Sequence, residues 1–120
     1  MNIKMFDSEL KVMEILWREG DIPAKEIAAL LAKEVGWSKT TTYTVIKKCI
    51  DKGAVSRSEE GFVCHAEITK DEVREFETAE LIDRMYGGSA DKLAASMVGS
   101  GMLSAEGIAA LKKLVEDMKC

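Results

Sequence analysis

The sequence has little of what a membrane, secreted or catalytic protein requires. No apolar run approaches the length of a membrane span, and the first ten residues, MNIKMFDSEL, lack the apolar segment of a signal peptide. The chain of 120 residues contains a single histidine and no nucleophile motif, so nothing in it argues for catalysis. We therefore expect a non-enzymatic, cytoplasmic protein without direct membrane insertion.

The cysteines are also few and scattered. Cys49, Cys64 and Cys120 form no CxC or CxxC pair, and His65 is the only imidazole ligand available to them. Cys64 and His65 are adjacent, but neighbouring residues on a strand point to opposite faces. The sequence therefore predicts no metal site and no cofactor, and it favours structural roles for the cysteines.

Positive charge is scarce overall but concentrated in one segment. The net charge of -4 counts against indiscriminate nucleic-acid binding. From Gly36 to Arg57, however, five basic residues stand against Asp51 alone, a local excess of four. Such a protein would be steered to DNA by a narrow patch, with modest affinity per monomer and strong sensitivity to salt.

The same segment predicts a helix with one polar face, from about Lys39 to Lys52. Ser38 can cap its N-terminus, and Gly53 can end it in a left-handed conformation. Apolar spacing assigns one face to the interior: Thr42, Val45, Ile46, Cys49 and Ile50. The other face carries hydroxyls and ammonium groups, which suits phosphates and base edges but also fits an ordinary solvated surface. With the residues that flank this face, the candidate DNA contacts on the helix are Ser38, Lys39, Thr40, Thr41, Tyr43, Thr44, Lys47 and Lys48.

Two helices are predicted before this one. The first runs to about Glu19 with Asp7 or Ser8 as its cap, and Ile22 can form a short strand bridge. The second opens at Pro23 and closes at Gly36. Two helices joined by a tight turn, the second with a polar outer face, form the helix-turn-helix pattern, in which the second helix reads DNA.

Two short β-prone runs follow, at residues 54–57 and 62–66, and they predict a hairpin. Three helices and a hairpin make a winged helix-turn-helix. Glu59 and Glu60 at the tip would oppose phosphate, so only Ser56, Arg57 and Ser58 could contact the DNA backbone. Of these, Arg57 is added to the candidate DNA contacts.

Three amphipathic helices are predicted in the remainder of the chain. A T-x-x-E capping box at Thr69 begins the first, and Ser89 and Ser104 can cap the others. Short helices separated by glycines cannot form a good core of their own, so their apolar stripes need a partner surface. Packing on the wing domain is one answer, but packing on a second chain is favoured.

The predicted fold class is mainly α with a small β-hairpin: a winged helix-turn-helix domain (residues 1–69) followed by a three-helix dimerisation region (residues 70–120). The candidate dimer contacts are Val73, Phe76, Ile82, Tyr86, Leu93, Met97, Ile108, Leu111 and Val115.

An ordered set of residues resembles the BlaI/MecI penicillinase-repressor family. It begins with FDSELKVMEILW at residues 6–17 and continues with Trp37-Ser38, Thr41, Thr44-Val45 and Lys52-Gly53. No single motif is specific, but the similarity covers nearly the whole chain. The resemblance implies a homodimeric repressor that binds a palindromic operator in double-stranded DNA. By matching positions, the threonines and Tyr43 would meet bases and phosphates, and Lys47 and Lys48 would anchor the backbone.

The chain departs from the family pattern at several positions. A family arginine is replaced by Tyr43, so the operator sequence does not carry over. The resistance repressors are induced through a membrane sensor protease, with cleavage between an asparagine and a phenylalanine; the matching pair here is Ser96-Met97, which puts this step in doubt. Copper-responsive members carry cysteine pairs near the C-terminus, where this chain has Cys120 alone, so copper sensing is not expected.

One competing hypothesis comes from another class of protein. The acidic wing and the net charge of -4 would suit a winged helix that binds a basic protein partner without reading DNA. A salt-sensitive complex with operator DNA would distinguish the repressor from this interaction module.

Overall fold

Residues 4–118 are described by a computed structural model, in which the chain forms two compact units, Met1–Glu77 and Thr78–Cys120. Three helices and three strands precede the fourth helix: α1 (Asp7–Glu19), β1 (Ile22–Pro23), α2 (Ala24–Val35), α3 (Lys39–Asp51), β2 (Val55–Arg57) and β3 (Val63–Ala66). The remaining helices are α4 (Lys70–Tyr86), α5 (Ala90–Gly99) and α6 (Ala105–Asp117). The predicted fold class, mainly α with a winged helix-turn-helix, is confirmed.

The core of the first unit lies between α1, α2 and α3. Its fully buried members include Val12 and Met13 of α1, Ile27 of α2 and Ile46 of α3. These positions follow the helical spacing that the sequence predicts for the inward faces. Since the inward face of α3 is committed to this core, its hydroxyl and lysine face is left toward solvent.

The N-terminus of α1 differs from the prediction. Neither Asp7 nor Ser8 is the cap, because the cap position is Phe6. The Glu9 carboxylate, three residues on, accepts the backbone N–H of Phe6 at 2.8 Å. Only this reciprocal half of a capping box is available, since a phenylalanine side chain cannot accept a hydrogen bond.

A tight turn sets the angle between α2 and α3. Gly36 takes the left-handed conformation with φ of 75°, and its N–H donates to the Ala32 carbonyl at 3.1 Å. The N–H of Trp37 then donates to Leu31 at 3.3 Å. A glycine is required at this position because a Cβ would make the left-handed backbone unfavourable.

The three strands form one antiparallel sheet with β3 in the centre, in the order β1-β3-β2. Ile22 of β1 pairs with Cys64, which confirms the predicted strand bridge, and β2 pairs with β3 through Ser56 and His65. Cys64 is fully buried and His65 is exposed, so the two adjacent residues do point to opposite faces. Trp17 joins α1 to the end of this sheet, because its indole N–H donates to the Ile68 carbonyl at 3.0 Å.

The predicted caps of the last three helices are all present. Thr69 and Glu72 make both hydrogen bonds of the capping box, at 3.0 and 3.1 Å, and the hydroxyls of Ser89 and Ser104 each accept an N–H from the first turn of the helix that they cap.

The division between the two units lies inside α4, whereas the sequence predicts a domain boundary at the start of that helix. The first turns of α4 belong to the first unit because Val73 is buried in its core. Among residues 4–118, no helix is both long and apolar enough to cross a membrane.

Candidate nucleic-acid interface

The hydroxyls of α3 are arranged by the helix that carries them. Ser38 is the N-cap, as predicted, and its Oγ accepts the N–H of Thr41 at 3.1 Å. The Ser38 hydroxyl also lies 2.9 Å from the hydroxyl of Thr41, and the Thr44 hydroxyl donates to the Thr40 carbonyl at 2.9 Å. The four side chains are exposed. The hydroxyl oxygens of Ser38, Thr41 and Thr44 are therefore held by hydrogen bonds, with lone pairs left to accept from a base edge.

The lysines of α3 are not equivalent. Lys47 forms an exposed ion pair with Asp51, one helical turn on, with 3.4 Å between Nζ and Oδ2. Lys39 lies with its Nζ 5.8 Å from the centre of the Tyr43 ring. Lys48 is exposed and makes no ion pair within the described part of the chain. Among the described residues, Lys39 and Lys48 can therefore meet a phosphate without losing an acidic partner, whereas Lys47 would have to leave Asp51.

Lys52, which contributes to the local positive charge in the sequence, points elsewhere. Its Nζ lies 2.7 Å from the Glu9 carboxylate and donates to the Lys4 carbonyl at 2.8 Å. The ammonium also lies 4.9 Å from the centre of the Phe6 ring. The local excess of four charges therefore overstates the charge presented by this surface, because one cation is neutralised by a carboxylate that is only 3% exposed.

An aromatic cluster joins α3 to the wing. The ring centres of Tyr43 and Phe62 are 6.2 Å apart, and the Arg57 guanidinium lies 4.5 Å from the centre of the Phe62 ring. Beside them is a cavity of about 310 Å³, also lined by Lys47, Ile50 and Asp51. Tyr43 is consequently half-buried, whereas the helical spacing predicts a fully outward side chain.

The tip of the wing is closed by Ser58. Its hydroxyl donates to the Glu60 carbonyl at 2.7 Å and accepts the N–H of Val63 at 3.1 Å. Ser56 donates to Glu67 at 3.0 Å on the exposed face of the sheet. Both serine hydroxyls thus have partners within the wing, and Arg57 is its remaining candidate for a phosphate contact.

A second basic surface on α2 was missed in the sequence. Lys25 and Lys39 lie at a cavity of about 260 Å³ whose floor is Ala28, Ala29 and Ala32. The signal was present, because these residues of α2 follow the i, i+3, i+4, i+7 spacing of one helix face. The small side chains leave space between two exposed ammonium groups, at the position where the first helix of a helix-turn-helix crosses the DNA backbone.

The remaining polar cluster lies on the exposed face of the sheet. His65 Nδ1 is 2.8 Å from Asp21, and Nε2 is 3.6 Å from Glu67. The hydrogen bond to Asp21, helped by the charge of Glu67, raises the pKa of His65 above its usual value of 6.5. This face is acidic, which separates it from the surface carried by α3.

The raised pKa of His65 predicts a pH dependence of stability. A protonated His65 stabilises the folded state fully below pH 6.5, and this contribution is lost as the pH rises through the higher folded-state pKa. We expect an NMR titration of this imidazole, the only one in the sequence, to show a pKa above 6.5 that returns toward 6.5 in Asp21→Asn. In His65→Gln this loss of stability between pH 6.5 and the folded-state pKa of His65 should be absent. A wild-type pKa at or below 6.5 would contradict the ion pair.

The two described cysteines are buried and have no disulfide. Burial raises the pKa of the Cys49 thiol to about 12 and also raises the pKa of Cys64. The thiolate is the form that binds metals and attacks electrophiles, and it is suppressed in both. Cys120 lies outside the described residues.

The second unit exposes the apolar side chains expected at a dimer interface. Ile108, Leu111 and Val115 of α6 are 41%, 47% and 53% exposed. Four other candidates, Ile82, Tyr86, Leu93 and Met97, are half-buried. Further exposed apolar residues were not among the candidates: Leu81, Met85, Val98, Met102, Leu114 and Met118.

Two candidate dimer contacts belong to the first unit. Phe76 is half-buried there, whereas Val73 is 5% exposed and packs in the core. Burial within one chain leaves Val73 little surface to offer a partner. The candidate cleavage pair lies in α5, where Ser96 is exposed and its Oγ is 3.3 Å from the Tyr86 hydroxyl. Met97 is half-buried.

Comparison with known proteins gives this architecture a family. The family model of the penicillinase repressor matches residues 6–117. The penicillinase repressor of Bacillus licheniformis is 30% identical over 115 residues, which cover 94% of this chain and 90% of that protein.

Two solved structures match part of the chain. The solution structure of the DNA-binding domain of the repressor BlaI has a TM-score of 0.53 at 32% identity, covering 57% of this chain and 87% of that one. The monomeric form of Bacillus licheniformis BlaI in complex with the blaP half-operator has a TM-score of 0.51 at 30% identity, with the same coverage. The winged helix, the ordered residues around Trp17 and Trp37 and the family match over nearly the whole sequence agree: the chain belongs to the penicillinase repressor family, the BlaI/MecI family.

Proposed function

We propose that this protein is a transcriptional repressor that binds a palindromic operator as a homodimer through α3. The observation that carries the proposal is the outward face of α3, where exposed hydroxyls and lysines stand without a carboxylate before Asp51. A repressor whose structure matches 57% of this chain has been solved in complex with a half-operator. In a helix-turn-helix, this face is the one that enters the major groove.

The contacts divide into base reading and backbone anchoring. Thr40, Thr41 and Thr44 offer hydroxyls to base edges, and the ring of Tyr43 can pack on a thymine methyl. Positive and capping groups around them meet phosphates: Ser38, Lys39, Lys47, Lys48 and Arg57. Lys25, at the alanine-floored cavity, adds a phosphate contact on α2.

Dimerisation is assigned to residues 70–120 and DNA binding to residues 1–69. The support is the exposure of α6 in the single chain, since Leu111, Leu114 and Val115 are 47%, 59% and 53% exposed. Contiguous apolar surface of this kind marks an interaction site. Two weakly basic domains held at fixed spacing bind two half-sites together, which supplies affinity that one domain lacks.

Induction acts on the helices that dimerise, through proteolysis or another signal. A cut between Ser96 and Met97 would detach α6, with its exposed apolar stripe, from the DNA-binding residues. Occupancy of the operator would then fall without any change in a DNA contact. On the proteolytic route the partner is a membrane sensor protease system, whereas another signal would need no such partner; in either case the repressor itself acts in the cytoplasm.

The repressor and the interaction module are separated by one experiment. A 30-base-pair fragment of the protein's own promoter is tested by mobility shift at two salt concentrations. A discrete, salt-sensitive complex is expected from a repressor. The absence of any complex at low salt would favour the module that binds a basic protein partner, which the acidic tip at Glu59 and Glu60 would suit.

Two substitutions on α3 should change different properties of DNA binding in this assay: one the affinity for every sequence, the other the preference for a base. Lys48→Ala removes a phosphate contact, so it should weaken binding to every sequence and reduce the salt slope by about one. Thr41→Val should instead alter preference at one base position. Lys11→Ala, an exposed lysine on α1, is the matched charge control and should leave the slope unchanged. Equal losses on all operator variants for Thr41→Val would count against base reading.

A further inference from the structure

Phe62 has a backbone conformation that its residue type disfavours. Its φ is 48°, and it is the one non-glycine residue with positive φ in the described range 4–118. A bulky side chain in this region is strained, and such strain persists only where the surroundings hold it. If the turn between β2 and β3 were the only requirement, glycine or asparagine would meet it without strain.

The backbone of Phe62 is held by the start of α2. The Phe62 carbonyl accepts the N–H of Ala24 at 3.0 Å. Ala24 is the first residue of α2, so its N–H has no partner within the helix. The hydrogen bond therefore fixes the wing against the first helix of the helix-turn-helix, at the residue that is strained.

The ring of Phe62 lies between two proposed DNA contacts on different elements. It packs against Tyr43 of α3 at 6.2 Å with the ring planes tilted by 52°, an arrangement favoured by aromatic pairs. The Arg57 guanidinium of β2 lies 4.5 Å from the ring centre, within cation–π distance. One side chain thus restrains both a base-reading candidate and the phosphate candidate of the wing.

We propose that Phe62 is a positioning residue that sets Tyr43 and Arg57 relative to each other, so that α3 and the wing read DNA as one rigid surface. This inference rests on the proposed operator binding. Phe62 acts through its two neighbours and need not touch DNA. The ring contacts Tyr43 and Arg57 from this strained backbone, and the restraint of both groups is the reason that an aromatic residue is kept where glycine would be unstrained.

The test uses the full-length protein and compares Phe62→Leu with Phe62→Tyr. Leucine keeps the apolar volume but removes the ring, whereas tyrosine keeps the ring and should preserve wild-type behaviour. Two readouts report the neighbours: the salt slope of operator binding reports Arg57, and the loss of affinity when promoter thymines are replaced by uracil reports Tyr43 on a thymine methyl. In Phe62→Leu the slope should fall by about one and the discrimination between thymine and uracil should disappear.

A double-mutant comparison separates positioning from folding. If Phe62 acts through Arg57, Phe62→Leu should not reduce the salt slope further in an Arg57→Ala background. Phe62→Gly tolerates the positive φ and serves as the second variant should the leucine variant unfold; it should show the same two losses. Thermal unfolding confirms that each variant is folded.

The wild-type protein tests operator binding, and the Phe62 variants test the positioning role. If the wild-type protein forms no salt-sensitive complex, operator binding itself is wrong. If the wild type binds and folded Phe62→Leu or Phe62→Gly keeps both the slope and the thymine preference, the positioning role of Phe62 is overturned.

Discussion

Leu111→Glu should convert the protein to monomers and weaken operator binding by about 10²–10⁴-fold, the avidity that linking two half-site contacts provides. Leu111 is 47% exposed in the single chain and lies on the same stripe of α6 as Ile108 and Val115. A carboxylate placed there would be desolvated without a partner in the dimer, which is strongly unfavourable. The exposed position imposes no such cost on the monomer, so the variant should remain folded.

The measurement combines sedimentation velocity with mobility shift on full and half operators. Leu111→Glu should sediment as a monomer and lose affinity for the full operator, while its affinity for a half operator should equal that of the wild type. Ala109→Glu is the matched control, because Ala109 is also exposed on α6 but lies on the opposite side of the helix from Leu111. A Leu111→Glu protein that stays dimeric would exclude this stripe as the interface.

Lys52→Ala should lower the free energy of unfolding by about 3 kcal/mol, because it leaves a buried carboxylate without its counter-charge. Glu9 is only 3% exposed, and Lys52 is the cation that faces it at 2.7 Å. The same ammonium donates to the Lys4 carbonyl, so its loss also releases the N-terminal segment from the end of α3. Urea unfolding measures the change, with the midpoint and slope fitted separately.

Lys47→Ala is the natural control, since Lys47 also pairs with a carboxylate but in solvent. The side chains of Lys47 and Asp51 are 78% and 65% exposed, and such pairs contribute at most about 1 kcal/mol. Lys47→Ala should therefore leave the free energy of unfolding nearly unchanged but weaken DNA binding. Lys52→Ala should lower the free energy of unfolding, while the DNA affinity of the molecules that remain folded should not change. The double substitution Glu9→Gln with Lys52→Met should recover much of the lost stability. Equal costs for the two single lysine variants would show that the Glu9 pair is not effectively buried.

Local signals predicted the helices well. Ser38, Ser89 and Ser104 cap the helices that the sequence assigns to them, because a hydroxyl that accepts a first-turn N–H needs only residues three positions apart. The sequence did not predict the cap of α1, because it did not fix the residue at which the helix begins. Asp7 and Ser8 are good capping residue types, but the helix starts at Asp7, so both lie inside its first turn, and the Glu9 carboxylate accepts the N–H of the cap residue Phe6.

Contacts between residues far apart in the chain could not be predicted from the sequence. Helical spacing places Tyr43 on the outward face, yet Phe62, nineteen residues away, covers part of its ring. The wing is assigned correctly from its two β-prone runs, but the strained backbone of Phe62 and the position of Arg57 over its ring follow from how the wing packs on α3.

The sequence by itself determined the order and type of the elements, most of the inward positions of α1 to α3 and the family, because periodicity, capping and motif order are properties of neighbouring residues. Val35, predicted on the inward face of α2, is 40% exposed. Only the tertiary structure decided what each charge does. Lys48 and Lys52 are four residues apart, and one is free to meet a phosphate while the other is bound to Glu9, forty-three residues away. A lysine's partner depends on which distant carboxylate the packing of the helices brings within a few ångströms, and no local pattern records that distance.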